Sequence, residues 1–261
     1  MPGNIIETVE ETIAITDPGE KGRDEHSWLD RTVINIGNVA AWLFPILMVA
    51  ICTQVVIRKF GFNQAWLDDA QWWIYGAAML AAFGYSITTE SHVRVDIFHQ
   101  NYSIEKKAKI EIFALGWLLL PFLILMMDIT TKYAISSWVA GEGSDSPNGL
   151  HRLYLLKALI PVLFGVAILA AISVTYRYLK RLTEPAPWKI LLAMLPATWF
   201  MAERAVYYVL WLYVRYSQPD LNPRRISREP LLQNTLWIAL ALLLLAVAVG
   251  YYMSKRKTEK A

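Results

Sequence analysis

The chain has 261 residues, of which 56% are hydrophobic and only 18% are charged, and its net charge is +3. A soluble protein carries about 25% charged residues, so this composition predicts an integral membrane protein and excludes an ordinary soluble domain. The net charge is small and no basic patch is interleaved with stacking aromatic residues, so no nucleic-acid partner is predicted. The single cysteine, Cys52, excludes an intrachain disulfide.

The first 32 residues contain acidic side chains early and lack the compact basic and then apolar start of a signal peptide. We predict a cytoplasmic leader over 1–32. Four later segments reach the length of about 20 mostly apolar residues that a membrane-spanning helix needs. They are 33–57, 70–88, 110–133 and 154–176. Pro45 is expected to kink the first, and the Gly- and Ala-rich second allows close helix packing.

Two further apolar segments follow the fourth. The segment 231–253 is a convincing fifth span, whereas 188–216 is interrupted by Glu203 and Arg204 near its middle. A charge at that depth costs at least about 2.5 kcal/mol. The segment 188–216 spans with this pair facing protein, lies in the interface or bends at Pro196. We therefore predict an all-α integral membrane protein with a four-helix domain over 33–180. A C-terminal extension over 181–261 adds one or two further membrane helices.

Basic residues in short loops indicate the cytoplasmic side of a membrane protein. The loop after the second segment is rich in lysine and arginine, whereas the loop 140–152 is acidic and rich in glycine and serine. The N-terminus is therefore predicted to be cytoplasmic. The loops between the first two segments and between the third and fourth are predicted to face outward.

The outer connection 58–73 contains Trp66, Trp72 and Trp73, which suit the headgroup boundary because an indole can be buried while its N–H stays wet. Asp68 and Asp69 precede the predicted second helix and are expected to cap its free N–H groups.

The inner end of that helix contains His92, Arg94 and Asp96. Arg94 can reach lipid phosphates, and Asp96 can cap the helix or pair with Arg94. His92 and His99 lack the further ligands that a zinc site needs, so no metal is predicted. No histidine lies within a predicted span, which argues against a bis-histidine haem.

Lys157 lies at the outer start of the fourth segment, where we expect it to reach outward to water, with contact to a partner protein as the alternative. Asp128 and Lys132 stand four residues apart near the outer end of the third segment and can pair on one helix face. The chain contains no hydrolytic, dinucleotide or phosphate-loop motif. We therefore predict neither an enzyme nor a cofactor. The predicted spans also offer few polar groups at mid-membrane depth for a solute.

This pattern resembles the small membrane subunit, the Q type, of tripartite ATP-independent periplasmic (TRAP) transporters. In that family an arginine closes the first helix, a tryptophan and an acidic residue open the second, and an H-I/V-R-V-D run closes it. The matching residues here are Arg58, Trp66, Asp69, Trp72, Trp73, Gly76, Ala77 and His92-Val93-Arg94-Val95-Asp96. The resemblance covers roughly 33–180. Asp69 stands where glutamate is usual, and the extension 188–261 follows where the typical subunit ends.

The resemblance implies a bacterial inner-membrane complex with a large membrane subunit and a periplasmic substrate-binding protein. The small subunit would support sodium-coupled uptake of an organic acid or similar solute. The implied candidates for the partner interface, with Lys157 added, are Arg58, Trp66, Asp69, Trp72, Trp73, His92, Arg94 and Asp96. The alternatives are a membrane anchor of a quinone-linked redox complex and an independent channel or carrier.

Overall fold

The computed structural model describes residues 23–91, 102–218 and 221–258, and within these ranges the secondary structure is helical, with no strand. A 3₁₀ turn, Arg23–Glu25, precedes the first helix, and a π-helical turn, Ala114–Leu119, joins the fourth helix to the fifth. The helices are α1 Trp28–Ala41, α2 Leu43–Lys59, α3 Ala65–Thr88, α4 Ile104–Phe113, α5 Leu120–Ala140, α6 Leu153–Leu182, α7 Pro187–Ala193, α8 Leu195–Ser217, α9 Pro223–Ile226, α10 Pro230–Gln233 and α11 Thr235–Thr258.

Four helical stretches of the described chain are long and apolar enough to cross a membrane: Trp28–Lys59, Ile104–Ala140, Leu153–Leu182 and Thr235–Arg256. The predicted all-α membrane fold is thus confirmed. These stretches contain the first, third and fourth predicted segments and most of the fifth, whose residues 231–234 precede α11. Helices α3 and α8 have 24 and 23 residues, but their Trp, Tyr and polar residues keep them below the hydropathy of the other four. Membrane crossing by α3 and α8 therefore stays a prediction.

Prolines mark two interruptions of the long helical stretches. Helix α1 ends at Ala41, and Trp42 separates it from α2. Pro45 has no N–H to donate to the carbonyl of Ala41, so the helix ladder is disturbed where the sequence predicted it. The π-helical turn Ala114–Leu119 similarly lies just before Pro121. Local changes of helical pitch accommodate the missing proline hydrogen bonds.

The described residues pack as two compact units. The first contains α1, α2, α3, most of α5 and most of α6. Both α1 and α2 pack along α3. A Cβ at Gly37 would lie 2.6 Å from Cδ2 of Tyr85, and one at Gly84 would lie 3.7 Å from Cα of Ala167. Small residues therefore allow α3 to approach its neighbours closely, as its composition predicted.

Helix α1 begins with a capping box. The backbone N–H of Asp30 donates to Oγ of Ser27, and the N–H of Ser27 donates to Oδ2 of Asp30. This reciprocal pair satisfies two of the N–H groups that a helix start leaves without partners. The hydroxyl of Ser27 also lies 2.7 Å from that of Ser173 in α6. These bonds fix the start of α1 against α6.

The second unit contains α4, the start of α5, the end of α6, and α7 to α11. Helices α7 and α8 run antiparallel along α11. The Trp188 ring contacts that of Tyr251 near the end of α11, and the Trp199 indole donates to the carbonyl of Leu236 near its start. The arm 188–203 therefore lies beside most of the apolar length of α11.

The pair that interrupts α8 is bonded inside this unit. Glu203 is buried, and its carboxylate accepts hydrogen bonds from Arg204 at 2.5 and 2.7 Å. The Thr235 hydroxyl at the start of α11 donates to Oε1 of Glu203 at 2.8 Å. Glu203 thus faces protein, as the spanning alternative requires. These bonds offset part of the cost of burying its charge.

Candidate functional site

The two loops predicted to face outward meet in the first unit. Asp69, in the first turns of α3, accepts a hydrogen bond from the backbone N–H of Leu150 at 3.0 Å, across 81 positions of sequence. Gly149 is buried beside this contact, and a Cβ there would lie 2.5 Å from Oδ2 of Asp69. The carboxylate therefore ties the loop after α5 to the start of α3. The contact depends on a residue without a side chain at position 149.

Arg58 and Asp68 form a second contact, which lies at the loop between α2 and α3. Nη2 of Arg58 donates to both carboxylate oxygens of Asp68 at 3.0 and 2.8 Å, and the two side chains are 55% and 37% exposed. An exposed pair of this kind contributes about 0–1 kcal/mol to stability. This ion pair helps to set the geometry of the α2–α3 turn but does not hold the fold together.

The expected capping of the second helix by Asp68 and Asp69 is wrong. Helix α3 begins at Ala65, and its N-cap, Gln64, makes no side-chain cap bond. The two carboxylates lie inside the helix and bind Arg58 and the Leu150 N–H instead. The predicted start of this helix was too late, because the first turn of α3 is polar and aromatic and lacks the apolar character of a membrane span.

Lys157 does not reach outward to water, contrary to the expectation for this side chain. It is buried, and its Nζ donates to Oε1 of Glu142 at 2.5 Å. The same ammonium lies 4.2 Å from the centroid of the Tyr133 ring. Lys157 therefore holds the end of α5 and the loop after it against the start of α6. The hydrogen bond from Lys157 lowers the pKa of the Glu142 carboxyl below its ordinary value.

We call this set of contacting residues the loop junction. It consists of Arg58, Asp68, Asp69, Tyr133, Glu142, Gly149, Leu150 and Lys157. The sequence singled out Arg58, Asp69 and Lys157 as candidates but missed Glu142 and Tyr133. The only signal for Glu142 was an acidic residue in a loop next to a helix that contains a lysine in its second turn.

The predicted tryptophans flank the loop junction. Trp66 is 45% exposed, and its indole donates to the side-chain carbonyl of Gln64. Trp72 is 72% exposed and contacts Tyr75 edge-on, whereas Trp73 is half-buried. Exposed indoles beside charged groups suit either the headgroup boundary or a protein partner.

The run that contains His92, Arg94 and Asp96 lies outside the described residues. Its proposed role at the inner membrane boundary rests on the sequence. The ion pair of Asp128 with Lys132 in α5, which the sequence predicted from their spacing of four, is present at 2.8 Å.

The fold and the loop junction define a multi-pass, all-α membrane protein whose polar contacts join its loops. A family model described as "Tripartite ATP-independent periplasmic transporters, DctQ component" matches residues 47–181, more than half of the chain. No curated protein and no solved structure matches the chain.

The chain belongs to this DctQ family, which confirms the resemblance drawn from Arg58, Trp66, Asp69 and the His92–Asp96 run. The DctQ component is the small permease subunit of a TRAP transporter. DctQ is a family of transporter components and not an enzyme family. The family membership and the apolar helices together indicate a multi-pass inner-membrane protein. The assignment favours a transport subunit over a redox anchor.

Proposed function

We propose that this chain supports a large membrane subunit and helps to dock a periplasmic substrate-binding protein. The assembly would drive sodium-coupled uptake of an organic acid or similar solute. The family acts with such partners, and the loop junction is the observation that supports this role for the present chain. In this proposal the N-terminus is cytoplasmic, and the chain divides into a leader over 1–32, a four-helix domain over 33–180 and an extension over 181–261.

The loop junction supports docking because it gives two loops one fixed shape. Asp69 holds the backbone of the later loop, and Lys157 holds Glu142 at the other end of that loop. Loops held in advance lose less conformational freedom when a partner binds, so more of the contact energy appears as affinity. Arg58 and Trp66 stay exposed beside these loops and can contact the partner.

The remaining candidates would orient the chain in the bilayer. Trp72 and Trp73 would lie at the outer boundary, next to lipid headgroups or the large subunit. His92, Arg94 and Asp96 would fix the depth of the opposite end, where arginine can bind lipid phosphate and aspartate can pair with it. These anchors would give a moving transport subunit a broader footing.

The test is co-purification in mild detergent with the cognate large subunit and binding protein, together with uptake by cells that express all three. We expect Arg58→Ala with Trp66→Ala to reduce partner recovery and uptake while the small subunit still reaches the membrane. The matched control is Lys109→Ala, which removes an exposed ion-pair partner of Glu105 in α4, outside the loop junction. Unchanged recovery and uptake in the double variant would contradict the docking role.

A further inference from the structure

A groove in the second unit combines an apolar floor with a charged rim. It has a volume of about 1020 Å³ and lies between the segment 184–191 and the second half of α11. Pro185, Leu191, Ala246, Val249 and Met253 form much of the floor. This groove lies beyond the DctQ match, which ends at residue 181. It therefore belongs to the extension that the typical small subunit lacks.

The rim of the groove presents one positive and one negative group. Nζ of Lys189 donates to the Thr183 hydroxyl and, at 3.3 Å, to the backbone carbonyl of Glu184. Both partners are uncharged, so they orient the ammonium without neutralising it. The Glu184 side chain lines the same rim and is exposed. Across the residues that the structure describes, neither Lys189 nor Glu184 forms an ion pair with another side chain.

The position of the groove matches the boundary of a membrane. Helix α11 is apolar enough to span as far as Arg256, and Lys255 and Arg256 are exposed at its end. The floor from Ala246 to Ser254 extends over about 12 Å of this helix, at 1.5 Å per residue. The charged rim would thus lie at headgroup depth, and the floor would lie among acyl chains.

We propose that this groove binds an aminophospholipid. One acyl chain would lie along the apolar floor, the phosphate would accept from Lys189, and the ammonium would donate to Glu184. A zwitterionic amine headgroup matches the rim, because each of its charges meets the opposite charge. An anionic lipid without an amine would leave Glu184 next to a negative phosphate. A choline headgroup carries no N–H to donate to the carboxylate.

Packing around the groove gives it a fixed wall. The Trp188 ring contacts Tyr251 at 5.5 Å between centroids, and a Cβ at Gly250 would lie 3.3 Å from Cβ of Trp188. The segment that holds Glu184 and Lys189 is thus fastened to α11 independently of any lipid. Substitutions at the two charged residues are therefore expected to leave the helix packing intact.

Native mass spectrometry of the full chain tests this proposal. The protein, purified in mild detergent, is offered equal amounts of phosphatidylethanolamine, phosphatidylglycerol and phosphatidylcholine with matched chains. We expect one phosphatidylethanolamine to be retained in preference to the other two. Losing one hydrogen bond to a charged group changes binding about tenfold. Glu184→Gln should therefore reduce the preference over phosphatidylglycerol by about that factor, and Lys189→Ala should weaken binding of all three lipids.

Two further variants keep the result decisive. Val249→Trp fills the floor without removing a charge and should abolish retention. Lys255→Ala removes a nearby charge outside the groove and should leave the preference unchanged. Thermal unfolding of each variant reports whether it is folded. Equal retention of the three lipids by the wild type would overturn the proposal, as would a preference that survives Glu184→Gln, Lys189→Ala and Val249→Trp.

Discussion

Replacing Asp69 with alanine should release the loop after α5. This substitution removes the acceptor of the Leu150 N–H, a hydrogen bond of 3.0 Å. Hydrogen bonds to charged groups contribute about 1.5–3 kcal/mol, and the half-buried position of Asp69 places this bond near the lower value. Because 1.4 kcal/mol is a factor of ten in an equilibrium constant, we expect the open population of the loop to rise about tenfold.

Amide hydrogen exchange measures this opening directly. The N–H groups of Ser144 and Gly149 donate to carbonyls within the same loop, those of Leu150 and Ser146, both at 3.0 Å. Their own acceptors survive the Asp69→Ala substitution, so any faster exchange reports release of the whole loop. Exchange follows the local opening equilibrium, and both amides should exchange about ten times faster in the variant.

Asp68→Ala is the matched control, because it removes a neighbouring carboxylate whose partner among the described residues is the exposed Arg58 at the turn. An exposed ion pair contributes about 0–1 kcal/mol, so exchange at Ser144 should stay within a fewfold of the wild type. If Asp69→Ala leaves the exchange of Ser144 and Gly149 unchanged, the loop is not held by this carboxylate. Equal acceleration by Asp68→Ala would show that the effect is not specific to the bond between Asp69 and Leu150.

Three further predictions concern packing and pH. Gly149→Ala places a Cβ 2.5 Å from the Asp69 carboxylate and should cost about 1–3 kcal/mol, seen as faster exchange in the same loop. Gly37→Ala inserts a methyl group against the ring of Tyr85 and should lower the thermal stability of the detergent-solubilised protein by a similar amount, whereas Gly76→Ala meets open space and should not. Because its pKa is lowered in the fold, Glu142 contributes stability that is complete above about pH 4.3 and is lost as the pH falls through the lowered value. Glu142→Gln should remove this acid-dependent loss, and an identical pH profile in the variant would exclude the contribution.

The sequence predicted the membrane helices well where composition alone decides. Long apolar runs such as 110–133 and 231–253 have few alternatives to a spanning helix, because the bilayer leaves backbone groups no other partners. It placed the start of α3 five residues late, at 70 instead of Ala65. The first turn of α3 is aromatic and polar, so its helical character does not show in hydropathy.

Pairings between distant residues were beyond a single sequence. The bond from Leu150 to Asp69 joins residues 81 positions apart, and the bond from Thr235 to Glu203 joins residues 32 apart. Such contacts depend on how loops and helix ends are placed, which local pattern does not determine. The spacing of four between Asp128 and Lys132 did predict their pair, because one helical turn brings them together.

We propose that uptake by the complex requires this chain, which does not move solute by itself. Uptake into proteoliposomes with a sodium gradient tests it most directly, with the cognate large subunit and binding protein and the solute which that protein captures. We expect uptake by the complete set, little uptake when this chain is omitted, and none by this chain alone. Full uptake without this chain, or transport by this chain on its own, would exclude the proposed supporting role.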